Sequence, residues 1–282
     1  MHVLIAGCGW LGTALADALV ARGDRVSGVR RDPRRAEALR VLGVEPVAVD
    51  LATPGVEAVL PADLDAIVAC QSAGADSAEA YRAAYVDANR ALLAAAARGG
   101  GLALVYTGST GVFGQHDGRD VDEAAAPVPS GATGEVLAEA EGLVLAAAGR
   151  GVPARIVRLS GLYGPGRAGI LDRVRAGRLA LGPGDGAWMN FCHRDDAVAF
   201  VLAALDRGAA GAIYHASDAA PARRREVVEW ISGRLGIPPP RSEATPPGPD
   251  RRILSVRSRE ALGVTLRWPS FREGLAPLVA PS

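Results

Sequence analysis

The 282-residue sequence contains no lysine, so arginine supplies every fixed positive side-chain charge and no side-chain amine is available to a catalytic group. Cysteine is scarce as well. Cys8, Cys70 and Cys192 are odd in number, widely spaced and set in or beside apolar runs, which excludes a disulfide framework and a clustered metal site. That usage fits a reducing, cytoplasmic setting, and no metal is expected. Net charge is missing too, with 31 basic against 31 acidic residues, so nothing in the composition calls for nucleic acid or an anionic membrane as partner. Acids or arginines interrupt the alanine-rich stretches, so no membrane span is expected. No charged segment followed by an apolar one precedes the first strand, and a signal peptide is not expected. No internal repeat is present. What remains is 49% apolar and 22% charged, an ordinary globular balance in a chain able to bury a core as one large domain or two unequal lobes.

The chain is organised around its first thirty residues. Val3-Leu4-Ile5-Ala6 is a short apolar run, Gly7-Cys8-Gly9-Trp10-Leu11-Gly12 follows, and Leu11 to Ala21 carries apolar residues at helical spacing. In that strand–turn–helix context a G-x-G-x-x-G string points to a dinucleotide site. Gly7 permits the tight turn, Gly9 lets a pyrophosphate approach the backbone, and Gly12 lets the helix sit close to the sheet. Trp10 and Leu11 complete the loop, and the free N–H groups of the helix start attract the anion. A second strand, Arg25 to Val29, ends in Arg30-Arg31 where an NAD site would usually place an acid. Paired guanidinium donors suit the 2′-phosphate of NADP, so NADP(H) is expected in preference to NAD(H). The competing reading makes both arginines part of a solvated basic run through Arg34 and Arg35.

The rhythm continues in order. Pro33 to Leu42 reads as a helix, and Glu45 to Val49 as a third strand ending at Asp50-Leu51, a pair placed to reach the adenine or else a plain turn. Asp65 to Cys70 is a fourth strand, followed by the loop Gln71-Ser72 beside the cofactor. Ser77 to Arg98 is a long helix, Leu102 to Tyr106 a fifth strand running into Thr107, and a polar loop extends through Glu123. A helix over about 130–149 and a sixth strand, Ala154 to Leu159, complete a mostly parallel, doubly wound α/β sheet. Residues 1–160, together with about 190–215, form the expected Rossmann domain; residues 161–189 and 216–282 form a small irregular substrate lobe expected to close over the ligand. There Trp188 to Cys192 reads as a strand, Asp195 or Asp196 as the cap of a helix from Ala197, and Pro238 to Pro249 as a proline-rich surface segment.

Taken together these pieces resemble an atypical extended short-chain dehydrogenase/reductase of the NAD(P)-dependent epimerase/dehydratase kind. The resemblance rests on the glycine loop, on Thr107 to Gly114 in place of a serine-rich stretch, and on Arg158 to Arg167. Phe191 to Asp196 and the closing Leu262-Gly263 to Gly274 add to it. It implies a Tyr-x-x-x-Lys pair in which tyrosinate exchanges a proton with the substrate and lysine holds the nicotinamide ribose. Here Thr133 and Leu137 fall at those positions, and neither carries useful acidity or charge. Ser109, with Thr110 beside it, stands where the family polarises a carbonyl; Tyr163 and His193 are further candidate donors, each with a competing structural reading.

The leading expectation is therefore an NADP(H)-dependent oxidoreductase passing hydride to or from a small organic substrate bearing a carbonyl, imine or hydroxyl. A catalytically silent NADP(H)-binding sensor or scaffold is the alternative, and a nucleotide-sugar epimerase a weaker one. The family also implies a homodimer through the helices at about 77–98 and 130–149.

Overall fold

A computed structural model describes residues 1–243 and 248–279; positions 244–247 of the proline-rich segment lie outside the described residues. Strand β1 (His2–Ala6) is buried at all five positions, as an inner strand covered on both faces should be. Helix α1 (Trp10–Ala21) follows and buries Leu11, Leu15 and Leu19, spaced four apart on one stripe. After β2 (Arg25–Arg30), helix α2 (Pro33–Glu37) is capped by the Asp32 carboxylate, which accepts from the Arg35 N–H at 2.8 Å. Strands β3 (Glu45–Ala48) and β4 (Ala66–Ala69) come next. The expected long helix begins at its Ser77 cap but is not uniform, since a π-helical stretch, Arg82–Asp87, joins α3 (Ala78–Tyr81) to α4 (Ala88–Arg98).

Strand β5 (Ala103–Ser109) runs three residues beyond its expected end. The polar loop that follows is not all loop, because it contains β6 (His116–Val121). Its sequence, His-Asp-Gly-Arg-Asp-Val, has no apolar alternation to announce a strand. Helix α5 (Gly131–Ala148) and strand β7 (Ala154–Leu159) then appear as expected, followed by β8 (Gly161–Tyr163) and α6 (Gly169–Arg175). Two short strands, β9 (Trp188–Met189) and β10 (Phe191–His193), replace the single one expected. Helix α7 (Arg194–Arg207) starts directly at the end of β10, so Asp195 and Asp196 lie in its first turn and do not cap it. Asp196 accepts instead from the backbone N–H groups of Arg267 at 2.8 Å and Trp268 at 3.0 Å. The chain closes with β11 (Ile213–Ala216), β12 (Ala222–Arg223), α8 (Arg224–Leu235), β13 (Asp250–Ile253), α9 (Val256–Leu262) and α10 (Phe271–Val279).

Two compact units result. The first comprises residues 1–112, 129–158 and 198–214, and the second 113–128, 159–197 and 215–282. The seven-stranded sheet of the first unit has the order β11-β7-β5-β4-β1-β2-β3, with β1 pairing parallel to both β2 and β4. Chain order therefore reverses between β1 and β4, the place where open α/β sheets receive ligands at the carboxyl ends of their strands. The second unit is built from two-stranded pieces. β13 lies parallel to β6, held by the Arg252–Asp120 ion pair, and β10 lies parallel to β8. Its apolar core gathers Leu171, Val174, Val227, Ile231, Phe271 and Leu275 from α6, α8 and α10.

The first unit also buries charge. Arg158, only 1% exposed, meets Glu141 in a two-pronged ion pair, Nε to Oε1 at 2.9 Å and Nη2 to Oε2 at 2.8 Å. Arg155 spends its guanidinium on the last-turn carbonyls of α7, donating to Ala204 at 3.0 Å and Leu205 at 3.2 Å. A buried pair is worth little against two apolar residues, but removing one partner strands the other. Arg158→Leu is expected to cost about 3–5 kcal/mol in chemical denaturation, and Glu141→Leu to cost a comparable amount.

Candidate dinucleotide site and catalytic residues

The glycine loop is shaped by contacts that a side chain would destroy. Gly7 has φ +89°, and a Cβ there would overlap the Gln71 backbone. A Cβ on Gly12 would stand 2.5 Å from the Gly7 carbonyl oxygen and 3.0 Å from the Cys70 sulfur. Gly9 is the opposite case, with only the Gly7 oxygen near, at 3.9 Å, so the space over it is open. Two glycines thus close the turn and the third leaves room for an anion at the start of α1. A dinucleotide fits this cradle. Trp10 is half-buried and Leu11 buried at the helix start, while Cys8 is packed beneath, its thiol pushed up in pKa by burial.

At the end of β2, Arg30 donates from Nη2 to the Thr13 hydroxyl at 3.2 Å, and Arg31 is exposed. Neither has an ion-pair partner among the described residues. Arg22 holds Asp24 and Asp206, Arg25 holds Glu45 and Asp63, and Arg40 holds Glu37, whereas Arg34 and Arg35 of α2 are exposed and, like Arg30 and Arg31, form no ion pair among the described residues. Uncompensated positive charge thus begins at this strand end and continues through Arg34 and Arg35 on α2. Asp50 is exposed and accepts from the Ala52 N–H at 3.0 Å, as a turn residue does, while Leu51 is 6% exposed and belongs to the core. Gln71 is half-buried and donates through Nε2 to Asn89 Oδ1 at 2.9 Å; Ser72 is exposed. Asn89, 1% exposed on α4, had no sequence signal that set it apart from a helix-surface residue.

The candidate catalytic groups separate. Thr107 on β5 donates to the Ala69 carbonyl at 3.2 Å, which fixes it to the neighbouring strand β4. Ser109 ends β5, and its Oγ accepts from the Gly111 N–H at 3.0 Å, so its O–H is left to donate elsewhere. Thr110 is buried at 7% exposure in the turn that follows. A Cβ on Gly111 would lie 3.1 Å from Ser109 Oγ and 3.3 Å from Leu137, so the leucine at the family's lysine position borders the serine. Thr133, one turn earlier on α5, is half-exposed. All five stand at the carboxyl edge of the first unit's sheet or the start of α5.

In the second unit Tyr163 and His193 are brought together as packing partners, their rings 5.2 Å apart at 84°. Tyr163 is 3% exposed and its hydroxyl abuts Gly274 so closely that no Cβ fits there. Burial raises the pKa of this phenol above its ordinary value, and its hydroxyl has no hydrogen-bond partner among the described residues. His193 is 2% exposed, and its Nδ1 accepts from the Asp195 N–H at 3.2 Å, which leaves the proton on Nε2. Burial lowers its pKa against the opposing pull of Asp195, and the ring is anchored at the start of α7. Asp218 was not foreseen. It is 2% exposed, neither carboxylate oxygen makes a well-formed hydrogen bond, and burial pushes its pKa up to about 8. Among the described residues no group of three or more His, Cys, Asp or Glu is placed to hold a metal ion, and no helix is long and apolar enough to cross a membrane.

Residues 3–217 match the model of the NAD dependent epimerase/dehydratase family. The chain belongs to that family. Among curated proteins, it is 33% identical to a Streptomyces 3-diazoavenalumate denitrifying reductase, over 98% of this chain and 99% of that protein. It is 30% identical to the 4-hydroxy-2-methyl-3-oxo-4-farnesyl-3,4-dihydroquinoline-1-oxide ketoreductase of Stigmatella aurantiaca, over 82% of this chain and 72% of that one. Among solved structures, a putative NAD-dependent epimerase/dehydratase from Methylobacillus flagellatus superposes with a TM-score of 0.77 at 30% identity, covering 99% of this chain and 97% of the other. Membership in the epimerase/dehydratase family, with two relatives named as reductases, supports an NAD(P)-dependent function of oxidoreductase type.

The buried carboxyl generates a pH dependence with a definite sign. Its folded pKa of about 8 lies above the ordinary aspartate value, so the native state binds the extra proton. That stability is complete below about pH 4 and is lost as pH rises toward 8. Asp218→Asn is expected to leave stability near pH 4 almost unchanged and to raise it at pH 8 by about 1–3 kcal/mol, read from denaturation curves at both pH values. For the loop, Gly12→Val is expected to lower affinity for NADP⁺ by more than about 10-fold in calorimetry, because its side chain separates α1 from the turn.

Proposed function

We propose that the chain is an NADP(H)-dependent oxidoreductase that transfers hydride to or from a small organic substrate bearing a carbonyl, imine or hydroxyl group. The observation that carries the reading is the pair of uncompensated arginines, Arg30 and Arg31, at the strand end beside an open glycine cradle. A 2′-phosphate supplies the charge that site lacks, whereas an NAD-specific site would offer the ribose hydroxyls an acid. When bound, the nicotinamide supplies or accepts the hydride. Gly7 and Gly12 would close the turn so that the open space over Gly9 could receive the pyrophosphate, and Arg30 and Arg31 would grip the phosphate on the adenosine ribose. Trp10, Asp50, Gln71 and Ser72 complete the proposed binding surface, whereas Leu11, Leu51 and Thr107 are buried.

The substrate chemistry falls to Ser109. With its Oγ already accepting from Gly111, the hydroxyl proton is directed to an acceptor, and Thr110 lies beside it. Thr133 and Leu137 supply neither a tyrosinate nor an ammonium, so a water molecule delivers the proton an alkoxide would need. An iminium acceptor requires none, because hydride addition gives the neutral amine directly. A preformed iminium ion is therefore the acceptor least affected by the missing acid, whereas a neutral imine, like a ketone, still needs a proton on its heteroatom. The same two residues favour one rival, a silent NADP(H)-binding sensor that never turns over.

Enzyme and sensor differ in one assay. Purified protein with NADPH is expected to oxidise it in the presence of ketone, imine or iminium acceptors, with preformed iminium ions the fastest class. Ser109→Ala is expected to lower kcat/KM by about 100-fold. Tight NADPH binding with no oxidation by any acceptor would leave the sensor standing and remove the enzyme. Nucleotide sugars are expected to pass through unchanged. We further propose a small-molecule partner and no nucleic acid or membrane partner. The free thiols Cys8, Cys70 and Cys192 suit a cytoplasmic setting. A homodimer formed through the faces of α4 and α5 would appear in light scattering as twice the 28.9 kDa chain mass.

A further inference from the structure

Arg30 carries a feature that the simple picture of a surface arginine omits. Its Nε is buried without a hydrogen-bond partner, and its Nη2 is held by a neutral side chain, the Thr13 hydroxyl at 3.2 Å. Thr13 is itself fixed. It sits one turn into α1, its backbone N–H bonds to the Gly9 carbonyl at 2.8 Å, and its hydroxyl donates to the Cys8 carbonyl at 3.3 Å. The hydroxyl therefore gives its only proton to the loop backbone and offers a lone pair to the guanidinium. Direction is thus forced along the whole relay, from Arg30 to Thr13 to Cys8. An acid in place of Thr13 would hold the arginine more strongly but would cancel the charge that an anion needs.

We propose that Thr13 is a specificity-positioning residue. It ties the Arg30 guanidinium to the carbonyl frame of the glycine loop, so that the arginine is oriented for the 2′-phosphate of NADP before the cofactor arrives. This rests on the NADP(H) reading above. A side chain as long as arginine otherwise gives up rotamer freedom on binding, and holding it in advance removes part of that cost. Arg31, on the next residue of the chain, has no such tether and is exposed. The two arginines are accordingly unequal, with Arg30 the oriented reader and Arg31 an adaptable second charge.

Calorimetry with NADP⁺ and NAD⁺ on wild type, Thr13→Val, Thr13→Ser, Arg30→Ala and the Thr13→Val/Arg30→Ala double variant tests this. Valine keeps the shape and removes the hydroxyl. Loss of one hydrogen bond predicts a fall in the NADP⁺/NAD⁺ affinity ratio of about 3- to 10-fold in Thr13→Val, with NAD⁺ affinity unchanged. Thr13→Ser restores the ratio, and Thr13→Val adds no further loss on the Arg30→Ala background. A role confined to holding the helix would lower affinity for both nucleotides equally and would overturn the proposal. So would equal, additive losses in the double variant. If the wild type shows no preference for NADP⁺, the cofactor reading itself fails. If it does, and Arg30→Ala abolishes the preference while Thr13→Val leaves it intact, only the inference about Thr13 fails.

Discussion

The first unit depends on the contact between the turn after β1 and the start of α1. The Gly7 carbonyl lies where a Cβ on Gly12 would be, and the Gln71 backbone lies where a Cβ on Gly7 would be. Strand β4, the loop after it and the first turn of α1 are thereby locked about one point, at which the order of the sheet reverses. That close approach aims the helix N–H groups at open space over Gly9. It also sets Thr13 within reach of Arg30, because both the helix start and the end of β2 are positioned by the same strand. A cofactor site of this kind is a by-product of packing. Chain geometry settled for the sake of the core leaves a cradle at its edge.

Charge follows the same economy. The arginines that replace lysine throughout the sequence are mostly paired where they flank the sheet, as Arg22 is with Asp206 and Arg25 with Glu45. Exposed pairs of this kind contribute little to stability, but they neutralise Arg22 and Arg25. Arg30 and Arg31, followed by Arg34 and Arg35, all four unpaired among the described residues, gather positive charge locally without any large net charge on the chain. Neutral overall composition and a locally anion-seeking site are thus compatible, because the balance is struck residue by residue.

The doubly wound sheet was legible because its strands are buried on both faces and read as unbroken apolar runs, Val3 to Ala6 and Ile67 to Ala69 among them. The glycine loop was legible because steric demands there are absolute. β6 was not, since its ladder to β13 and the Arg252–Asp120 pair hold it, and neither depends on hydrophobic alternation. The buried pair Arg158–Glu141 was hidden for a related reason: each charge sits among apolar neighbours 17 residues from the other, and only the fold brings them to 2.8 Å. Tyr163 and His193 looked alike in sequence as polar groups near a motif. The structure buries both of them, as a ring packed against Gly274 and an imidazole bonded at the start of α7.

The site that remains is poor in acids, and that poverty constrains the chemistry more than any residue present. A hydroxyl whose oxygen already accepts a backbone N–H, as Ser109 Oγ does, is a better donor than a free serine but still no source of protons at neutral pH. Leucine at position 137 beside it removes a cation and adds an apolar wall. An anionic transition state gains nothing from such a wall, whereas a substrate that begins cationic and ends neutral loses charge as it reacts and is favoured by it. The exchange of tyrosine and lysine for Thr133 and Leu137 is thus more than a loss of machinery. On the proposed reading it would shift the balance of hydride chemistry from acceptors that must be protonated toward acceptors that already carry the positive charge.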